Sequence, residues 1–272
     1  MTADTMSDTA SKLDKWIFVI ALSVLGAAMV WQLTGNDRPA PADPPVVQRP
    51  QPPRTPTPQF EGLPGGLYSS EELNYFAEIA FGAEHREISH VIRKWRGDLN
   101  IRIEGDPTAE DLQQVKAAVD LLNQLQNEVM LSVGYFETSL VIHFAPESTF
   151  KKLDGRYTGN NPGFFWVGWV EDELYLGTIL IDSEGVSQAE RNTLIIEELT
   201  QSLGLMNDSN RYADSVFNDE KIVPGMSLSP LDQKLVTMLY RPELTPGMTM
   251  DEAMEILINL KRPVEPAEVT TL

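Results

Sequence analysis

Cysteine is absent from the 272 residues, and histidine occurs only at His85, His90 and His143. The first absence excludes disulfides, thiolate zinc sites and cysteine nucleophiles, and it leaves the compartment open. The second leaves little imidazole for a catalytic metal. Positive charge is scarce as well: 21 Lys and Arg stand against 40 Asp and Glu, a formal charge of −19. A surface that acidic repels nucleic acid and anionic lipid headgroups, and its plain reading is solubility. No serine nucleophile elbow, P-loop, dinucleotide fingerprint or internal repeat occurs. The length allows one or two domains, and 42 % hydrophobic content allows a sizeable core.

One long apolar run is present. Trp16 to Leu33 holds eighteen residues without a charge, bracketed by Trp16 and Trp31. That length reaches the short end of what spans a hydrocarbon layer of about 30 Å, and tryptophans favour its two interfaces. The run exceeds the apolar region of a cleavable signal, so it reads as an uncleaved anchor. Lys12 and Lys15 lie closest to it and place residues 1–15 in the cytoplasm. Residues 34–66 come next as a spacer containing ten of the nineteen prolines. Such a segment favours extended polyproline geometry, and 31 residues of it reach roughly 95 Å. The expected soluble domain is 67–262, with a flexible tail over 263–272. This organisation predicts a single-pass protein of a bacterial inner membrane with its domain in the periplasm.

Within the domain, Ser69 or Ser70 followed by Glu72 opens a helical region running towards Trp95. Leu99 to Glu104 alternates as a strand. Asp106-Pro107-Thr108 opens a second helix with apolar positions from Leu112 to Leu125. Strands are predicted at Val129–Val133, Ser139–Ala145, Gly163–Val170 and Leu174–Asp182, the last two joined by Glu171-Asp172-Glu173 as a hairpin. Helices are predicted at Gln188–Leu205 and over Ser229–Tyr240, the latter capped by Ser229 with Pro230 at its first position. The fold class is α/β (α+β) with a mixed sheet.

The stretch Ile195 to Asp208, IIEELTQSLGLMND, carries the chemistry. Glu197 and Gln201 are one turn apart and share a helix face. Gly204 stands where a helix ends, and the returning chain brings Asn207 towards that face. A zinc hydrolase needs two ligands one turn apart, a bend, a third ligand and a carboxylate base. This spacing resembles the metzincin metalloprotease signature H-E-x-x-H-x-x-G-x-x-H, with Leu203-Gly204-Leu205 as its LGL. Met226 occupies about the place of the Met-turn, and Leu228 to Tyr240 is similar to the matrixin segment that begins the last helix. The resemblance implies a metzincin-like zincin domain with Glu198 in the place of the general base. FAEIAFGAE (Phe76 to Glu84), RKW (Arg93 to Trp95), EELTQSLGLMNDS and SVFND (Ser215 to Asp219) resemble more closely a bacterial family known as domain of unknown function 2927. Its members are often exported or membrane-attached.

All three histidines of the metzincin signature are replaced, by Glu197, Gln201 and Asn207. Neutral amide oxygens hold zinc poorly. Three readings stand at this point: a polar network without metal, an oxygen site for Ca²⁺, Mg²⁺, Mn²⁺ or Zn²⁺ with help from Asp208, or a remodelled hydrolase. Asp208, Asp214, Asn218, Asp219 and Glu220 form an acidic loop without EF-hand spacing. Phe164, Phe165, Trp166 and Trp169 either line a groove for an extended peptide or pack in the core. The expected function is a protein-binding or scaffolding module of the cell envelope without cofactor. The alternatives are a metal-dependent hydrolase using Glu198 and a plain tether.

Overall fold

Capping chemistry sets where the helices start. Five of them open with a reciprocal capping box, in which a Ser or Thr side chain and an acidic residue three positions on satisfy two free backbone donors. They are α1 (Ser70–Phe81), α2 (Ala109–Leu125), α4 (Gln188–Gln201), α5 (Pro230–Leu239) and α6 (Met250–Asn259). The caps are Ser69, Thr108, Ser187, Ser229 and Thr249 in that order. A short α3 covers Phe150–Leu153. The computed structural model describes residues 59–82, 91–134, 137–218, 220 and 222–262. The chain divides into two units, Met1–Arg54 and Thr55–Leu272, and every described residue belongs to the second. The expected anchor Trp16–Leu33, residues 1–15, residues 34–58 of the spacer and the tail 263–272 lie outside the described residues. Among the described residues no helix is long and apolar enough to cross a membrane.

The strands are β1 (Lys94–Trp95), β2 (Leu99–Gly105), β3 (Leu131–Val133), β4 (Leu140–Ala145), β5 (Gly163–Val170) and β6 (Glu173–Asp182). In the six-stranded sheet β3, β2, β4 and β6 run parallel in that spatial order. β5 is antiparallel to β6, and β1 pairs in parallel with Glu173 and Leu174 of β6. The helical region expected to run towards Trp95 therefore ends at Phe81, and Lys94–Trp95 is strand. The β5–β6 turn is also tighter than predicted: Glu171 and Asp172 alone occupy it, at φ +50° and +64°. Two left-handed residues in a two-residue hairpin make a type I′ turn, here without the usual glycine.

Alternation along the strands decides which face is covered. Leu99, Ile101, Leu140, Ile142, Phe144, Ile179 and Ile181 are buried in one core with side chains of α1, α2, α4, α5 and α6. The opposite face carries Arg102, Glu104 and His143 and a small separate cluster of Phe150, Tyr157 and Leu180. The mixed sheet thus has its larger helices on one side and β5 along one margin, next to α4. α2 and α4 are stapled at their N-terminal ends by a buried Asp111–Arg191 ion pair of 3.0 Å, to which Gln188 adds a hydrogen bond of 2.6 Å. That pair is well placed because Asp111 also accepts from its own cap backbone, so its buried carboxylate has several partners.

Candidate functional site

The site is built on the C-terminal half of α4 and the loop that leaves it. The helix closes through Gly204, whose N–H donates to the Gln201 carbonyl (3.0 Å) and whose φ is +121°. Carbonyls freed at the bend are taken from outside: Trp95 Nε1 donates to Ser202 (2.9 Å) and Tyr240 Oη to Leu203 (3.0 Å). Lys94 is buried and donates to the carbonyls of Leu239 and Arg241 at 3.2 and 3.0 Å. Burial holds its ammonium pKa down, to about 8. The RKW segment is thereby a clasp on the glycine bend.

Glu197, Glu198 and Gln201 are where the helical spacing puts them. Glu198 and Gln201 are buried and Glu197 is half-buried. The Glu198 carboxylate reaches the start of β5, where it lies so close to Gly163 that a side chain there would collide with it. Gln201 turns its amide nitrogen to Asp208 Oδ1 (2.5 Å). Asn207 turns instead to α1: its amide nitrogen donates to the carbonyls of Glu78 (3.1 Å) and Asp208 (2.9 Å). The loop residue whose side chain meets Gln201 is therefore Asp208, one position later than the spacing predicts.

Met226 ends a tight turn. Val223-Pro224-Gly225-Met226 closes with a bond from Met226 N to the Val223 carbonyl (3.2 Å), Gly225 having φ +74°. Proline second and a left-handed glycine third is the type II signature. Thr193 Oγ1 donates to the Val223 carbonyl (2.7 Å) and accepts from Met226 N (3.0 Å), while Gly225 N donates to Ala189 (2.9 Å). The turn is thus fixed to α4 one turn before Glu197.

The four aromatics of β5 do not line one groove. Phe165 packs against the main core, whereas Phe164 joins Phe150, Tyr157 and Leu180 on the opposite face. Trp166 lies 3.4 Å beneath the Arg156 guanidinium, which Asp154 holds through two bonds of 2.8 and 2.6 Å. Trp169 comes after a register shift at Gly168 and lies 3.9 Å beneath Arg93, itself paired with Asp172 (3.1 Å). Neighbouring strand residues face opposite sides, so this division is a consequence of the pleat.

The amide nitrogens of Gln201 and Asn207 are both engaged as donors, and Asn207 is aimed at the end of α1. Among the described residues no group of three His, Cys, Asp or Glu side chains could hold an ion. In the acidic loop Asn218 donates to the Tyr212 carbonyl and accepts from Glu220 N, each at 3.1 Å. His143 stands on the other sheet face, 3.3 Å from Glu104, and burial lowers its pKa. His85 and His90 lie outside the described residues.

Two further acidic residues hold the loop. Glu78 of α1 accepts from Ser209 Oγ (2.5 Å) and pairs with Arg211 (2.7 Å). Asp232, fully buried at the start of α5, accepts from Ser215 Oγ (2.6 Å), Val216 N (3.1 Å) and Ser229 N (2.9 Å). Burial raises its pKa in spite of these bonds. Because the Ser215 hydroxyl proton goes to Asp232, Tyr75 donates to Ser215 at 2.7 Å. An acidic residue inside an otherwise apolar helix, as Glu78 is in FAEIAFGAE, is the signal that could have found the first of them.

The structure is similar to that of myroilysin at a TM-score of 0.37 and 11 % identity, covering 55 % of this chain and 82 % of that one. A likeness this low assigns neither fold nor chemistry. No curated protein matches the chain. Residues 69–259 match the family described as "Protein of unknown function (DUF2927)", a span that takes in FAEIAFGAE, RKW, the site helix and SVFND. The chain belongs to the DUF2927 family.

Proposed function

We propose that this is a metzincin-like binding module of the bacterial cell envelope, carried by the Trp16–Leu33 anchor into the periplasm, which holds extended protein segments without cleaving them and uses no cofactor. The observation that carries this reading is the open edge of β5. The strand is eight residues long, GFFWVGWV, with no charge and no proline, and among the described residues it pairs on one side only. Natural edge strands are normally protected by charge, proline or brevity, and an unprotected one is a template for another strand. The bond from Asp182 N to the Pro162 carbonyl sets the ladder phase, so Gly163, Phe165 and Val167 turn their main-chain groups outward. Asn161 Oδ1 already accepts the Gly163 N–H, leaving the outward N–H groups of Phe165, half-buried, and Val167, buried, to meet an added strand. Hydrogen exchange on the full-length chain in micelles, titrated with a library of extended decapeptides, tests this. Peptides that bind should slow exchange at Phe165 and Val167. Absence of any binding peptide, or binding that leaves those two amides unprotected, rejects the reading.

A second reading has its own support, the retained Glu198 carboxylate at the Gly163 end of that edge. A hydrolase would use it as the base. Cleavage of bound peptide by the wild-type chain that Glu198→Gln abolishes would favour this alternative.

A further inference from the structure

The returning loop is held from outside the site, by one stripe of α1. Glu71, Tyr75, Glu78 and Gly82 succeed one another at spacings of four, three and four, which places them on a single helix face. Each meets the loop. Tyr212 Oη donates to Glu71 (3.0 Å), and Tyr75 donates to Ser215 while its ring packs edge-on against Tyr212 and Phe217. Glu78 takes Ser209 and Arg211 with its carboxylate and Asn207 with its carbonyl, and Asn207 N donates to the Ile79 carbonyl (3.2 Å). Gly82 is bare where Asn207 crosses it, and a side chain there would strike the Asn207 amide.

In the zinc arrangement that the spacing of α4 resembles, the ion ties the returning loop to the helix. Here the loop is tied on its other side, and the Gln201–Asp208 bond joins it to the ligand face of α4. We infer that the Glu71–Tyr75–Glu78–Gly82 stripe has taken over the loop-holding work of such an ion, with Glu78 as its centre. The outward turn of Asn207 then has its cause in α1. A loop already fixed by α1 neither needs an ion nor offers it the third ligand. This goes beyond the binding reading and stands without it.

Amide exchange over residues 207–212 of the full-length chain is the measure, with α4 as internal reference. Glu78→Ala should speed exchange there by at least about tenfold, as expected when a local opening loses two charge-assisted contacts. Dialysis of the wild-type chain against EDTA, and then addition of zinc or calcium, should leave the same amides unchanged. If Glu78→Ala does not fold, Ser209→Ala combined with Arg211→Gln removes the same contacts from the loop side, and the same acceleration is expected. Faster exchange in EDTA, slower exchange on adding an ion, or no change in the variants would overturn the inference.

Discussion

The backbone carbonyl of Arg93 occupies the space into which a side chain at Gly204 would point. Two constraints meet at this residue. Its φ of +121° is one that L side chains rarely adopt, and the blocking atom is backbone, which cannot rotate away. Gly204→Ala should therefore cost more than the loss of a left-handed turn alone, at least about 3 kcal/mol. Chemical denaturation of the two chains measures it. A loss below about 1 kcal/mol would mean that the Arg93 backbone can move off the bend.

Lys94 supplies a pH dependence of known sign. Its pKa is about 8 in the folded chain against an ordinary 10.5, so between those values the unfolded chain binds the extra proton. Stability then rises with pH through that window. Between about pH 7.5 and 9.5 the gain attributable to this group is on the order of 1–2 kcal/mol. Lys94→Met should remove that slope while lowering stability at all pH, because the Leu239 and Arg241 carbonyls lose their donor. Parallel slopes in the two chains would show that Lys94 is not desolvated when folded.

Several elements are legible in the sequence because their signals are local. Ser229, Pro230 and Asp232 announce α5, whereas α4, predicted to run to Leu205, ends at Gln201, before the LGL bend. Ser187 with Glu190 fixes its start. β1 leaves no such trace, since two residues have no period and are strand only because Glu173 and Leu174 lie beside them. α6 is absent from the sequence reading although Thr249 and Glu252 form a capping box before Met250, Ala253, Met254 and Leu257, a readable pattern. The helical placement of Glu197, Glu198 and Gln201 is legible, and the direction of Asn207 is not. Spacing assigns its side chain to the α4 face, but the partner that decides its direction is Glu78, 129 positions away, and no spacing rule reaches so far.

The one-residue slip between expected and observed loop geometry yields a further test. Histidines at Glu197, Gln201 and Asn207 would rebuild the metzincin signature in sequence. In space, position 207 is turned to α1 and position 208 meets position 201. Glu197→His, Gln201→His, Asp208→His should accordingly bind zinc more tightly than the same pair with Asn207→His, by at least about tenfold, since a third ligand separates a usable site from a chelate pair. Competition against a zinc indicator reads both constants. Equal affinities, or tighter binding by the Asn207→His chain, would mean that imidazole can pull the loop off Glu78, and the rigidity ascribed to α1 would be wrong.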